Sequence, residues 1–291
     1  MNQHKVLKTP LVILVLIITL SGCKMADLRT SAVTNSTPNR EPKAIALINK
    51  VIANQNLDVL SNSKTYSYKA IHNWKGIMAL FNPFPKDNKL MEMKFRPNSF
   101  DAQFRYIKGR DSIKRGVQSF KYYTIDYDGN LQFKNKPSMT FTLPAVQYLF
   151  ELPLRLKDAP ILKYAGSTTF EDNLYDLVFA TWESTEPNSE YDQYLLYISR
   201  KTGHLAFASY TVRDTYLPSP NNIYGSIRYE NITENIDGIR YPSTLIIQIN
   251  KLKKKSRWTQ KISISDLKLN NFDASNLYPD KTLKFLGDSK N

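Results

Sequence analysis

From Ser63 onward the chain is dominated by short runs in which apolar and polar residues partly alternate, the period that puts every second side chain on one face of a strand. Tyr66 to Trp74, Leu90 to Phe95, Phe100 to Ile107 and Tyr122 to Tyr127 read as strands from this pattern and from their aromatic and β-branched content. A turn at Asp128-Gly129-Asn130 joins the last of these to Leu131 to Phe133 as a hairpin. Strands resume at Leu174 to Trp182, Tyr194 to Ser199 and Leu205 to Val212, then Tyr224 to Thr233, Tyr241 to Asn250 and Trp258 to Leu269, with Gly203 and Gly238 in the short turns between them. Two stretches break the pattern. Between Pro42 and Leu60, Ile45, Ile48, Ile52 and Val59 recur at spacings near three and four, which predicts an amphipathic helix. Leu143 to Leu156 is apolar nearly all round, with Pro144 suited to a first helical position, and predicts a short buried helix that ends or kinks before Pro153.

Ten or eleven strands joined by short turns favour an antiparallel meander, because strands adjacent in sequence are usually adjacent in space. The expected fold is therefore mainly β with a few helices: a large curved antiparallel sheet, an incomplete β-barrel, with helices on its concave face. No second linker, internal repeat or low-complexity block divides residues 43–291, which read as one domain. A curved sheet with an apolar interior is a container for an apolar ligand. Its lining would come from Leu149, Phe150, Leu152 and Leu154 of the buried helix and from facing strand positions such as Phe179, each of which also suits plain core.

The N-terminus changes the picture. Lys5 and Lys8 precede an apolar run from Leu11 to Leu20, too short for a spanning helix of about 20 residues and of the length used in export signals. Leu20-Ser21-Gly22-Cys23 follows at once and resembles the bacterial lipobox. Residues 1–22 thus read as a lipoprotein signal peptide and Cys23, the only cysteine, as the lipid-carrying N-terminus of the mature chain. Lipidation implies an attachment to membrane, and several acyl chains together hold firmly where one holds marginally. Residues 23–42, rich in Ser, Thr, Asn and Pro, have the composition of a flexible tether.

Removing residues 1–22, which hold two lysines and no acid, leaves a formal charge of +12 on 269 residues. For an exported, tethered protein this suits anionic lipid or acidic polysaccharide better than nucleic acid. The dense run Lys251-Leu252-Lys253-Lys254-Lys255, followed by Arg257, reads as a solvated hairpin or protected strand edge.

Catalytic chemistry finds no motif. His72 and His204 are the two histidines left after cleavage, one in a strand and one in a turn, without the spacing that zinc requires. The chain has no nucleophile elbow, Walker loop or dinucleotide fingerprint, so neither a metal nor another cofactor is expected. Glu171 with Asp172 and Glu183 with Glu186 sit beside turn signals and read as solvated loop acids. The 18 tyrosines could stack on sugar rings or fill a core; Tyr194 and Tyr197, an odd number apart, should face opposite sides of their strand.

Glu190 to Gly203, with Tyr210-Thr211-Val212-Arg213, Asn235 to Pro242, Ile264 to Asn270 and Leu277-Tyr278-Pro279, resembles the later half of the outer-membrane lipoprotein carrier and receptor group, the LolA-like and LolB-like proteins. The shared elements are a strand ending in Tyr197-Ile198 before Thr202-Gly203, a return strand, and Asp237-Gly238 with Pro242 opening the next. The resemblance implies an incomplete barrel closed by helices around a cavity for acyl chains. It points to a non-enzymatic, lipid-anchored envelope protein that binds an apolar ligand, a lipid or a lipoprotein acyl chain. A second reading is a module for glycan or an envelope protein partner, using exposed tyrosines and the basic surface. Lys24, in place of the acid that retains enteric lipoproteins at the inner membrane, favours an outer-membrane address on either face.

Overall fold

The computed structural model describes residues 25–283 apart from 87, 108–112 and 217–219. The signal and Cys23 lie outside them. Among the described residues thirteen strands form one antiparallel sheet: β1 Tyr66–Trp74, β2 Met91–Phe95, β3 Ala102–Tyr106, β4 Lys114–Gln118, β5 Lys121–Ile125, β6 Leu131–Lys134, β7 Ile161–Phe170, β8 Asn173–Thr181, β9 Tyr194–Ser199, β10 Leu205–Tyr210, β11 Gly225–Glu234, β12 Arg240–Ile249 and β13 Gln260–Leu269. Their order is β6-β5-β4-β3-β2-β1-β13-β12-β11-β10-β9-β8-β7, so the sheet stays open between β6 and β7. The chain meanders from the middle to one edge, crosses by a helix to the other edge, and meanders back until β13 pairs with β1. The curved, open, mainly β architecture expected from the alternation is the one observed.

The first helical region is α1, Pro42–Gln55, and α2, Leu57–Ser61. Proline opens α1 where its missing N–H is not needed. Ala44, Ile48, Val51 and Ile52 are buried against the sheet. Asn56 closes the helix in the left-handed conformation that asparagine tolerates better than most residues.

The crossover helix begins earlier than its apolar run suggests. α3 spans Pro137–Phe150, so Pro137 and not Pro144 takes the first-turn position, and Pro144 lies inside the helix. The break expected before Pro153 is present: Glu151 separates α3 from α4, Leu152–Leu156. Pro153 cannot donate to the carbonyl four residues back. The Tyr229 hydroxyl on β11 donates to that carbonyl, Leu149 O, at 3.0 Å.

Residues 26–41, whose composition reads as a tether, lie along the outer face of the sheet instead. Leu28 joins Ala165, Leu177, Phe179 and Leu195 in a small outer cluster, with Val33 and Tyr197 against it. Lys163, fully buried, donates to Thr34 O, Thr37 O and Thr37 Oγ1 at 2.7 to 3.1 Å. Arg40 bridges to Leu162 on the β7 edge. Backbone groups explain the outcome: a polar segment settles on a sheet when its N–H and C=O groups find partners there.

Asp192 belongs to the same fastening. It accepts from Thr211 Oγ1 and the Arg213 N–H, while Gln193 Oε1 accepts from the Leu28 N–H. Burial raises the Asp192 carboxyl to about 6. A carboxyl whose folded value exceeds its unfolded one lowers stability as pH rises through the interval between them, here roughly from 3.8 to 6. Asp192→Asn keeps the shape and removes the charge, so it should stabilise the protein at pH 7.5 by up to about 3 kcal/mol and by little near pH 4. Thermal melts at the two pH values check this; a lower melting temperature at pH 7.5 would show the carboxylate to be favourable.

Candidate functional site

The concave face is built from alternate residues. On β1 these are Tyr66, Tyr68, Ala70, His72 and Trp74; Met91, Met93 and Phe95 of β2 and Phe104 of β3 lie beside them. At the inner end of this row Phe150 reaches down from α3, its ring 5.9 Å from Tyr66, 5.1 Å from Tyr68 and 6.3 Å from Tyr241.

Glu151, at the helix break, is fully buried. It accepts from the Tyr66 hydroxyl at 2.6 Å, Gln147 Nε2 at 3.0 Å and Arg155 Nε at 2.7 Å. Arg155 also donates to Ser99 O at 2.6 Å and lies beside the rings of Phe100 and Tyr148. A carboxylate can be taken out of water only when paired and hydrogen-bonded in this way. Burial, followed by the neighbouring Glu151 charge, holds the Tyr66 hydroxyl protonated and so keeps it a donor. This cluster joins the helix break to β1 and pins both.

Further along β1 the polar groups are unpaired. Among the described residues, Tyr68 OH, His72 Nε2 and Trp74 Nε1 are buried atoms without a hydrogen-bond partner. His72 Nδ1 lies 3.2 Å from Gln260 Nε2; with that amide donating, the ring proton sits on Nε2. Burial pulls the His72 value down to about 3, so the ring is neutral at ordinary pH. Three donors thus line one face of one strand among Phe84, Met91, Met93 and Phe104. Phe84 covers His72 at 4.5 Å between ring centres. A buried donor left unpaired costs about 1–3 kcal/mol, so three in a row on one strand need an explanation.

The residues expected to line a cavity divide between the two faces. Leu149, Phe150, Leu152 and Leu154 are all buried in the main core on the concave side, where Val178 and Ala180 of β8 also point. Phe179 belongs to the outer cluster with Leu28, so the structure does not bring it to the helix residues. Nothing in the sequence motifs singles out Tyr68 and Trp74, and His72 reads there as an ordinary strand residue. The one signal is polar aromatic residues at the alternate positions of β1 apart from Ala70. Tyr194 and Tyr197 do face opposite sides, one in the core and the other against the outer cluster.

Open grooves lie elsewhere, at the β4 to β6 edge. One of about 290 Å³ is lined by Arg115, Tyr122, Lys134 and Lys136 among others. Among the described residues no cluster of three or more His, Cys, Asp or Glu could hold a metal ion. Tyr127 is the one tyrosine that is largely exposed, at 81 %, which leaves few rings for sugar stacking.

No family model and no curated protein matches this sequence. Solved structures do. A DUF1329 family protein from Desulfovibrio piger superposes with a TM-score of 0.51 at 10% identity, over 84% of this chain and 99% of its own. A putative outer membrane lipoprotein-sorting protein domain from Vibrio parahaemolyticus gives 0.49 at 10% identity, over 82% and 97%. A LolA superfamily protein from Nitrosomonas europaea gives 0.46 at 11% identity, over 82% and 98%. At such identities the likeness speaks of fold alone. With the Desulfovibrio piger protein the chain shares its fold, an open curved antiparallel sheet with helices packed on its concave face.

Proposed function

We propose that this is a lipid-anchored protein of the cell envelope that binds an acyl-bearing amphiphile on its concave face, without catalysis. The observation that carries the reading is the row of unpaired donors on β1. An ester or carboxylate group offers oxygen acceptors to Tyr68, His72 and Trp74, while its chain suits the surrounding Phe84, Phe104, Phe150 and methionine side chains. Leu149, Leu152 and Leu154 then support the wall that Phe150 presents. Cys23 supplies the anchor, and its lipid makes the protein a resident of one membrane, by our reading the outer one, in place of a soluble shuttle.

Tyr68→Phe removes a donor with little change of shape, and Trp74→Phe removes one together with part of the indole. Each should weaken binding of a fluorescent fatty acid at least roughly three- to tenfold, the worth of one neutral hydrogen bond. Tyr68→Phe should also leave the ligand-free protein as stable as before or more so, because an unpaired donor is gone. Unchanged affinity in both variants would remove the row from the site. Separately, labelled palmitate should enter the wild-type chain and not Cys23→Ala.

A further inference from the structure

The end of the sheet at which β1 finishes carries an exposed apolar turn. Residues 76–81 form a 3-10 turn in which Ile77 is 68 % exposed, Leu80 82 % and Phe81 38 %. Exposed side chains of this size grouped on one turn mark a surface that meets something apolar. The basic run Lys251 to Arg257 sits beside it: the Lys75 N–H donates to Thr259 O at 2.8 Å, and Lys75 Nζ lies over the Trp258 ring. Residues 75–90 and 250–259 together contain eight Lys or Arg and a single acid, Asp87.

The start of the described chain arrives at this same end. The Ala26 N–H donates to Asn221 O, Arg213 donates to Ala26 O and Asn221 O, and Tyr216 of that connection donates to Phe81 O at 3.0 Å. Cys23 is three residues before Ala26, no more than about 11 Å of chain. The start of the described chain, the apolar turn and the basic loop therefore converge on one rim. The acidic loop of β8 to β9 lies farther along it; there Glu186 pairs with Arg29 and Glu183 accepts from Tyr191, while Glu190 is exposed.

We infer that this rim is a membrane-docking surface, with Ile77, Leu80 and Phe81 entering the headgroup region of a bilayer and Lys251, Lys253, Lys254 and Arg257 resting on anionic lipid phosphates. The arrangement of apolar tip and basic flank is what an interfacial anchor requires. The biological setting rests on the reading of Cys23 as the anchor. It also places the outer end of the β1 donor row, at Trp74, immediately behind the turn that meets the lipid.

The test uses residues 24–291, which hold every element described and lack Cys23, so that acylation cannot contribute. Flotation with vesicles of phosphatidylethanolamine and phosphatidylglycerol should recover the protein, and phosphatidylcholine vesicles should recover much less. The Ile77→Glu, Leu80→Glu double variant changes exposed positions, should melt as the wild type does, and should bind at least tenfold more weakly. Replacing Lys251, Lys253 and Lys254 by alanine should weaken binding on the order of a hundredfold. Wild-type affinity in either variant, equal binding to both vesicle types, or no binding at millimolar lipid overturns the inference. Absence of palmitate on Cys23, by contrast, would overturn the anchor and leave the rim standing.

Discussion

Replacing Glu151 by alanine should destabilise the protein by about 3–5 kcal/mol, because Arg155 is then left buried without its carboxylate. The side chains of both partners are essentially inaccessible, so solvent cannot compensate. The loss also frees the Tyr66 hydroxyl at the point where α3 breaks against β1, and leaves Gln147 Nε2 with Arg96 O alone. For a domain of this size the melting temperature should fall by roughly 10 °C. The double variant Glu151→Ala, Arg155→Met should recover much of that loss, since an apolar replacement removes the stranded charge as well. A loss below about 1 kcal/mol in the single variant, or no recovery in the double, would show that the pair does not hold the helix break.

His72 should make the fold sensitive to acid. Its folded value is about 3 and its unfolded value about 6.5, so between them the unfolded chain takes up a proton that the folded chain refuses. Stability is then lost as pH falls, by up to about 1.4 kcal/mol per pH unit for this one group. Asp192 works with the opposite sign from roughly pH 3.8 to 6 and masks the effect in the wild type. Asp192→Asn should therefore show a steep loss of stability from pH 6 to pH 4 in denaturant titrations. Adding His72→Leu should flatten it. Equal slopes with and without His72 would mean that the ring is protonated in the folded protein.

Much of the sheet is legible in the residues, because strands with one face on the core alternate and their hairpins carry Gly, Asn and Asp. Two strands are hidden for local reasons. β4 carries one aliphatic residue, Val117, and places Gly116 beneath the Tyr123 ring, where any side chain would collide with that ring and with Ala102 O. β7 contains Ala165-Gly166-Ser167-Thr168, which looks like a turn; Gly166, with φ of +86°, sits where its register with β8 shifts, so it marks a bulge inside a strand.

The face of Phe179 could not be read in the same way. β8 is buried from Leu177 to Thr181 on both sides, and alternation says nothing once both faces are covered. The cover on its outer side is the segment 26–41, whose polar composition hides its role because backbone hydrogen bonds and the Lys163 ammonium fasten it. The donor row on β1 was visible as residues and invisible as a site. Which polar atoms lack partners depends on the strands and loops that close over them, and those come from Phe84, 12 residues on, and from β13, nearly 190 residues away.

If the concave face takes an amphiphile through Tyr68, His72 and Trp74, organic extraction of the purified unlipidated chain followed by mass spectrometry should show it. The extract should hold a co-purifying molecule with an acyl chain and an ester or carboxylate group, sharply reduced in the Tyr68→Phe, Trp74→Phe double variant. An extract free of lipid, from a protein that also fails to take up a fatty acid, would contradict it.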